Sequence, residues 1–201
     1  MQPKVKICGI TNLGDALLAE SLGADFIGFV FAEKSPRRVS ETTAREISAA
    51  LTRARAVGVF VEHSRDETER IAEECGLWGV QHYTYFPEGF WGPHYIYALR
   101  LGAPDAPQDF SSLNCDYMLI DSYDEKQHGG TGKVFDWTEL PSGINRARVF
   151  LAGGLGPHNI CAAARENTFS LDLSSSVEAR PGKKDPAKLK KLFTNLKHCE
   201  G

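Results

Sequence analysis

The chain has 201 residues, enough for one large domain or two small ones with a sizeable buried core. Hydrophobic residues make up 42% and charged residues 24%, as in ordinary globular proteins, and the net charge of −3 gives no general attraction to nucleic acid or anionic lipid. No apolar run approaches the roughly 20 residues of a membrane span, and the N-terminus lacks the apolar core of a signal peptide.

The cysteines give no sign of a disulfide framework. There are five of them, an odd number, at Cys8, Cys75, Cys115, Cys161 and Cys199. Their irregular spacing fits neither paired disulfides nor paired metal ligands. The sequence therefore predicts a cytoplasmic protein with reduced cysteines.

The first strand signal ends on a candidate site residue. Val5 and Ile7 alternate with other residues in the run KVKICGIT, which is typical of a short buried strand. The strand ends at Cys8, and Thr11 or Asn12 can cap a helix directly after it. An α/β fold carries its reactive side chains at strand ends, so the Cys8 thiol is a candidate site residue. The alternative is that Cys8 is a small buried apolar residue, as free cysteines more often are.

Alternating strand and helix signals fill the rest of the chain. Seven further strands are predicted at residues 26–31, 56–61, 78–81, 95–101, 117–121, 149–152 and 170–173. Helices are predicted to end at Leu22 after the first strand and to cover 41–52, 64–74, 157–166 and 185–197. No regular helix is expected in 82–93 or 102–108, a long polar loop covers 122–136, and 137–145 forms at most a short helix.

Eight such units predict one α/β domain over residues 1–201. Apolar strands alternating with helices indicate a parallel sheet, and eight units close into a (β/α)8 TIM barrel, here with abbreviated or irregular outer helices around units four to six. The alternative is an open doubly wound sheet. The first strand is not followed by the G-x-G-x-x-G of its dinucleotide-binding version.

A barrel carries its functional residues at the C-terminal ends of the strands. The candidate residues at or just after those positions are Cys8, Arg37, Gln81, Asp121, Gly153, Gly154, Asp172, Ser174, Ser175 and Ser176. The sequence predicts that they face one mouth.

Two loops at this mouth are candidates for phosphate binding. Barrels often bind phosphate with the loops after strands seven and eight, which here contain Gly153-Gly154 and Ser174–Ser176. The glycines let the backbone approach an anion, and the serines add hydroxyl donors. The alternative is a pair of turn glycines and a helix cap.

Asp121 is the candidate general acid. It follows an apolar strand, and burial there could raise its pKa. The alternative is a carboxylate that caps a helix or forms a salt bridge. The six histidines show no metal-binding spacing, so we predict no metal, and His82 is the histidine most expected to face the mouth.

Several motifs together resemble the phosphoribosylanthranilate isomerase family. They are KVKICGITN, GADFIGFVFAEKSPRRV, VGVFV, LIDS with GGTGKVFDW, FLAGGL, and DLSSSVE with PGKKD. The resemblance covers nearly the whole chain and implies a (β/α)8 barrel of tryptophan biosynthesis. It implies an Amadori rearrangement of phosphoribosylanthranilate to carboxyphenylamino-deoxyribulose phosphate, without cofactor or metal.

The resemblance also implies roles for individual residues. It makes Cys8 the general base and Asp121 the general acid, and it places Arg37 on the anthranilate carboxylate. Gln81 and Asp172 would contact the substrate, Asp172 beside the ribosyl part. Phosphate would be held by Gly153, Gly154, Ser174, Ser175 and Ser176.

Two positions depart from the family pattern. Ser176 replaces a usual glycine in the phosphate loop, where its side chain could crowd the phosphate or add a donor. Residues 81–84 read Gln-His-Tyr-Thr where the family usually reads Gln-Leu-His-Gly, so the histidine is shifted by one position.

Two competing functions remain open at this stage. A dual-substrate sugar isomerase of the same fold would want two acidic groups where this chain has Cys8 and Asp121. A non-catalytic barrel that only binds a phosphorylated ligand would show ligand binding without turnover. The expected partner is a phosphorylated small molecule, with no nucleic acid and no membrane, and the chain is expected to be a monomer or a homodimer.

Overall fold

Eight parallel strands close into a barrel in chain order. The computed structural model describes residues 2–101, 107, 109–122, 140 and 143–199. The strands are β1 Lys4–Cys8, β2 Phe26–Val30, β3 Arg55–Phe60, β4 Gly79–His82, β5 His94–Leu101, β6 Tyr117–Ser122, β7 Val149–Leu151 and β8 Ser170–Leu173. Strand β8 closes the barrel by pairing with β1, with Asp172 opposite Lys6. The predicted (β/α)8 architecture is confirmed.

The outer helices begin at the capping residues that the sequence supplies. The helices are α1 Leu13–Leu22, α2 Glu41–Ala50, α3 Arg65–Glu74, α4 Ile160–Ala164 and α5 Pro186–Lys197. Asn12, rather than Thr11, caps α1 by accepting a hydrogen bond from the Asp15 N–H. Ser64 and Glu67 form a reciprocal capping box at α3, as expected for a serine followed three residues later by glutamate.

The barrel strands separate two apolar layers. Side chains alternate along each strand, so every second residue points into the barrel and the others face the helices. The inner layer is Phe26, Val57, Ile96, Ala98, Leu119, Phe150 and Ala152. The outer layer includes Val5 and Ile7 of β1, which leaves Lys6 and Cys8 of the same strand directed inward.

Helix α4 is shorter than predicted. It covers residues 160–164 instead of 157–166. The side chain of Asn159 explains the late start, because it accepts a hydrogen bond from the Gly156 N–H and donates one to the Gly154 carbonyl oxygen. These bonds hold residues 154–159 in a loop conformation rather than a first helical turn.

A small hairpin between β8 and α5 was not predicted. Strand β9 (Glu178–Arg180) pairs antiparallel with β10 (Lys183–Lys184). Pro181-Gly182 forms its turn, and Gly182 has a φ of 78°, which favours glycine. The Pro-Gly pair was the available sequence signal.

The prediction of reduced, unpaired cysteines is wrong for two of them. Cys161 of α4 forms a disulfide with Cys199, 38 residues later, while Cys8, Cys75 and Cys115 are free and buried. Sequence spacing could not show this pair, because packing of α4 against α5 brings the two residues together.

The prediction for unit four is confirmed, since residues 83–93 contain no helix. The predictions for 102–108, for the loop 122–136 and for 137–145 fall largely or wholly outside the described residues.

Candidate active site

The mouth of the barrel gathers the predicted site residues. Cys8 ends β1, Gln81 lies in β4, Asp121 in β6 and Asp172 in β8, while Arg37, Gly153-Gly154 and Ser174–Ser176 lie in the loops after β2, β7 and β8. In a closed parallel barrel these positions share one face.

Cys8 occupies a small pocket in the inner wall of this mouth. Its side chain belongs to a packed cluster with Val30, Ala32 and Val59, and Tyr83 packs against this cluster. Gly28 is its direct partner on β2, and a β-carbon there would lie 2.9 Å from Cys8 Sγ. The bare backbone of Gly28 therefore provides the space that the thiol fills.

The electrostatic environment of Cys8 combines opposing effects. Burial raises the pKa of the Cys8 thiol, the ammonium groups of Lys6 and Lys184 act to lower it, and the Asp172 carboxylate adds to the effect of burial. Burial outweighs the two ammonium groups, so the pKa of the thiol is raised overall.

A buried lysine that the sequence analysis missed connects two of the predicted residues. Lys6 is 0% exposed, and its Nζ donates hydrogen bonds to Gln81 Oε1 at 2.9 Å and to Asp172 Oδ1 at 3.0 Å. Burial acts to lower the pKa of Lys6, but the Asp172 carboxylate and Cys8 more than offset burial and raise it. Lys6 is therefore a cation within the barrel.

Arg37 reaches the mouth through a second buried ion network. Its guanidinium donates to both carboxylate oxygens of Glu178, with Nη2 to Oε2 at 2.8 Å and Nε to Oε1 at 3.0 Å. Glu178 also accepts from Lys184 Nζ at 2.9 Å. Burial acts to raise the pKa of Glu178, but Arg37 and Lys184 more than offset burial and lower it. The carboxylate is thus ionised and orients Arg37.

The conformation of Gly9 also places Arg37. Gly9 has a φ of 75°, and a β-carbon on it would lie 2.7 Å from Arg37 Cδ and 3.1 Å from Ser174 Oγ. Only glycine lets the stem of Arg37 cross the end of β1 this closely. Ser174 Oγ in turn donates to the Cys8 carbonyl oxygen at 3.2 Å.

The prediction that His82 faces the mouth is wrong. His82 is 0% exposed, its Nδ1 accepts a hydrogen bond from the Thr84 N–H, and its Nε2 lies 3.1 Å from the His63 carbonyl oxygen. Phe60 and Phe86 lie beside its ring. Because Gln81 points into the barrel, the alternation of the strand turns its neighbour His82 outward.

Tyr83, the next residue, takes the inward position instead. Its ring contacts the Cys8 pocket, and the Arg100 guanidinium lies 5.6 Å from the ring centroid. Burial raises the pKa of Tyr83, and the charges of Asp121 and Cys8 raise it further. Arg100 pairs with Asp121 in the register of β5 and β6. Tyr83 therefore packs against the pocket of the predicted base and lies beside Arg100, the strand neighbour of the predicted acid.

The predicted phosphate loops have backbone conformations that favour glycine. Gly153 and Gly154 have φ values of 89° and 67°. In the other loop, Ser175–Val177 forms a 3-10 turn, and Ser176 Oγ is buried without a hydrogen-bond partner among the described residues.

Within the described part of the chain, no cluster of three His, Cys, Asp or Glu side chains is suited to hold a metal ion. Among the same residues, no helix has both the length and the apolarity needed to cross a membrane.

Comparison with known proteins decides the family. A model of the family described as N-(5'-phosphoribosyl)anthranilate (PRA) isomerase matches residues 5–195. The chain belongs to the PRA isomerase family. The resemblance inferred from the sequence motifs is confirmed, and with it the assignment to the isomerases of tryptophan biosynthesis.

Relatives of similar sequence and solved structures of similar fold align with nearly the whole chain. The N-(5'-phosphoribosyl)anthranilate isomerase of Citrifermentans bemidjiense is 39% identical, and the alignment covers 96% of this chain and 97% of the relative. The crystal structure of the enzyme from Thermus thermophilus superposes with a TM-score of 0.81 at 35% identity, covering 97% of this chain and 98% of the other. A PRA isomerase crystallised with reduced 1-(o-carboxyphenylamino)-1-deoxyribulose 5-phosphate gives a TM-score of 0.76 at 33% identity, covering 98% and 99%.

Proposed function

We propose that Cys8 and Asp121 act as general base and general acid in the isomerisation of N-(5'-phosphoribosyl)anthranilate by this chain. The observation that carries the proposal is the direction of two strand ends: Cys8 faces inward at the end of β1, and Asp121 lies two residues after the inner-layer Leu119 on β6, so both side chains face the mouth. The two groups therefore flank one space in the mouth. A substrate spanning that space can meet an acid on one side and a base on the other.

The chemistry assigns one proton transfer to each group. Asp121 in its acid form protonates the ribose ring oxygen while the bond from that oxygen to C1′ breaks and the anilino nitrogen forms an iminium. Cys8 in its thiolate form removes the proton from C2′, and the electron pair of that bond neutralises the iminium. The resulting enolamine gains a proton at C1′ and loses one from the C2′ hydroxyl, which gives the ketose. Exchange with water supplies and removes these protons and returns Cys8 to the thiolate and Asp121 to the acid form.

The remaining predicted residues bind the two anionic ends of the substrate. A planar guanidinium suits a carboxylate, so Arg37 is assigned to the anthranilate carboxylate. The loops with Gly153-Gly154 and Ser174–Ser176 are assigned to the phosphate, because barrels often bind phosphate after strands seven and eight. Gln81 and Asp172 accept hydrogen bonds from Lys6 inside the barrel and are assigned to the ribosyl part of the substrate.

The test is the loss of phosphoribosylanthranilate fluorescence in the presence of the purified chain. Cys8→Ala and Asp121→Asn should each lower kcat by about 10²–10⁴-fold, as expected for loss of a positioned base or acid. Cys75→Ala, which removes another buried thiol, serves as the control and should leave kcat unchanged.

Binding separates loss of chemistry from loss of the site. The reduced product analogue should bind both catalytic variants nearly as tightly as the unaltered chain, because its phosphate and carboxylate contacts lie on other loops. Tight binding of this analogue with no turnover by the unaltered chain would indicate a binding protein and contradict the proposal.

A further inference from the structure

Lys6 is an unusual residue for the interior of a barrel. Its side chain is fully buried, and its partners are the Asp172 carboxylate at 3.0 Å and the Gln81 amide oxygen at 2.9 Å. Asp172 is itself only 10% exposed. Replacing a buried ion pair with apolar residues of similar volume is often neutral or stabilising, so stability alone does not explain Lys6.

The strand geometry directs Lys6 toward Cys8. The two residues lie two positions apart on β1, so their side chains leave the same face of the strand. Lys6 is opposite Phe26 of the apolar inner layer, and Cys8 is one step nearer the mouth, opposite Gly28. The Lys6 side chain thus lies between the apolar inner layer and the thiol of Cys8.

We propose that Lys6 is a positioning residue whose buried ammonium group stabilises the thiolate form of Cys8. This inference rests on the proposed role of Cys8 as base. Removal of the C2′ proton requires a thiolate, and burial works against any charged form. A cation held in place before the reaction compensates for this effect without rearrangement in the reaction step.

Other charged or titratable groups also face Cys8. Asp172 on β8 opposes thiolate formation, Lys184 on β10 favours it, and Tyr83 is a neighbour after β4. Lys184 is bonded to Glu178 at 2.9 Å and to the Ser174 carbonyl oxygen at 3.2 Å. Lys6 shares the inward face of β1 with the thiol, whereas Lys184 is already paired with Glu178. Removal of Lys6 should therefore dominate any change in the titration of Cys8.

The experiment measures the thiol directly and without substrate. Iodoacetamide alkylation of Cys8 is followed as a function of pH, and the labelled Cys8 peptide is quantified by mass spectrometry. Lys6→Met keeps a long side chain and removes the charge. The alkylation midpoint should move to higher pH. A midpoint that is higher by one pH unit makes the alkylation rate about tenfold lower at any fixed pH well below the midpoint. In turnover, kcat should fall with little change in KM.

Two further variants complete the design. Lys4→Met removes a half-exposed ammonium from the same strand, two residues before Lys6, and should leave the midpoint in place. Lys6→Met combined with Asp172→Asn leaves a neutral, packed pair and covers the case in which Lys6→Met alone does not fold. Its midpoint should lie between those of the unaltered chain and of Lys6→Met.

A folded Lys6→Met protein, or a folded double variant, with an unchanged or lower Cys8 midpoint would overturn the proposal. A shifted midpoint together with normal turnover by Cys8→Ala would instead contradict the role of Cys8 as base. The two failures are therefore distinguishable.

Discussion

Gly28 leaves the space that the thiol of Cys8 occupies. The two residues are direct partners on β1 and β2, and a β-carbon on Gly28 would lie 2.9 Å from Cys8 Sγ and 3.0 Å from Cys8 Cα. Non-bonded carbon atoms prefer roughly 3.5–4 Å, so both contacts are too short. One of them is to backbone, which cannot rotate away, and the position of the thiol therefore depends on this glycine.

The Gly28→Ala variant should fold but lose activity. Displacement of the thiol by a few tenths of an ångström to 1 Å is expected to lower kcat by up to about 10²-fold, because proton transfer depends on close alignment. Gly143→Ala is the matched control, since a β-carbon there meets nothing within 4 Å. Normal kcat in a folded Gly28→Ala protein would contradict the importance of this contact.

The contents of the mouth could be predicted because a parallel barrel fixes which chain positions meet. Cys8, Asp121 and Asp172 were found as polar or reactive residues at strand ends, and all three lie at the C-terminal face. The side-chain direction at the end of β4 was not found. A shift of one residue exchanges inside and outside, which is why Tyr83 rather than His82 faces the mouth.

The charge networks were beyond the reach of sequence reasoning. A lysine or glutamate beside apolar residues is most often exposed, and the partners that accompany the burial of Lys6 and Glu178 include residues 166 and 141 positions away in the chain. The available signal for a buried Lys6 was its position two residues before Cys8, which places both side chains on one face of the strand. The partners of Glu178 depend on the hairpin of β9 and β10, which was itself missed.

Glu178→Gln should weaken substrate binding more than chemistry. The neutral amide cannot hold the Arg37 guanidinium through two charge-assisted bonds, so Arg37 should lose its fixed orientation. We expect KM to rise about tenfold, equivalent to about 1.4 kcal/mol. Glu166→Gln breaks a similar pair, with Arg146 at 2.6 Å, away from the mouth, and should leave KM unchanged. Equal effects of the two substitutions on KM would argue against a role for Glu178 in placing Arg37.

Arg37→Lys should impair the enzyme although the charge is kept. Lysine cannot form the paired bonds that Arg37 makes with Glu178, nor offer a planar group to the anthranilate carboxylate. Steady-state kinetics should show kcat/KM about tenfold lower or worse, since tenfold corresponds to about 1.4 kcal/mol. The adjacent Arg38 is exposed, so Arg38→Lys is the natural control. If Arg38→Lys is the damaged variant, the assignment of Arg37 fails.

Glu20 should make the free energy of unfolding depend on pH in the acidic range. It is 6% exposed, and its Oε1 accepts from the N–H groups of Thr52, Arg53 and Ala54 at 2.8–2.9 Å. Burial acts to raise the pKa of Glu20, but these donors more than offset burial and lower it. A lowered folded-state pKa adds stability above the unfolded-state value of roughly 4.3, and that stability is lost as pH falls through the folded-state value.

The measurement for Glu20 is urea unfolding of Glu20→Gln at several pH values. The variant should be less stable by about 1–3 kcal/mol at pH 7, with a smaller difference below about pH 4. Glu73→Gln, on the exposed side of α3, should change little at either pH. A stability difference that does not vary with pH would show that the charge on Glu20 is not responsible.

Ser176 should narrow the phosphate site. Its Oγ is buried without a partner among the described residues, and its Cβ lies 3.2 Å from the place that a β-carbon on Gly156 would take. Ser176→Gly removes the side chain from a loop whose backbone is proposed to approach the phosphate. KM for the phosphorylated substrate should fall while kcat stays nearly constant, as expected when the substrate and the transition state are bound more tightly by the same amount. Ser112→Gly, in an exposed turn, should alter neither constant. If Ser176→Gly instead raises KM, the hydroxyl is a phosphate donor rather than an obstruction.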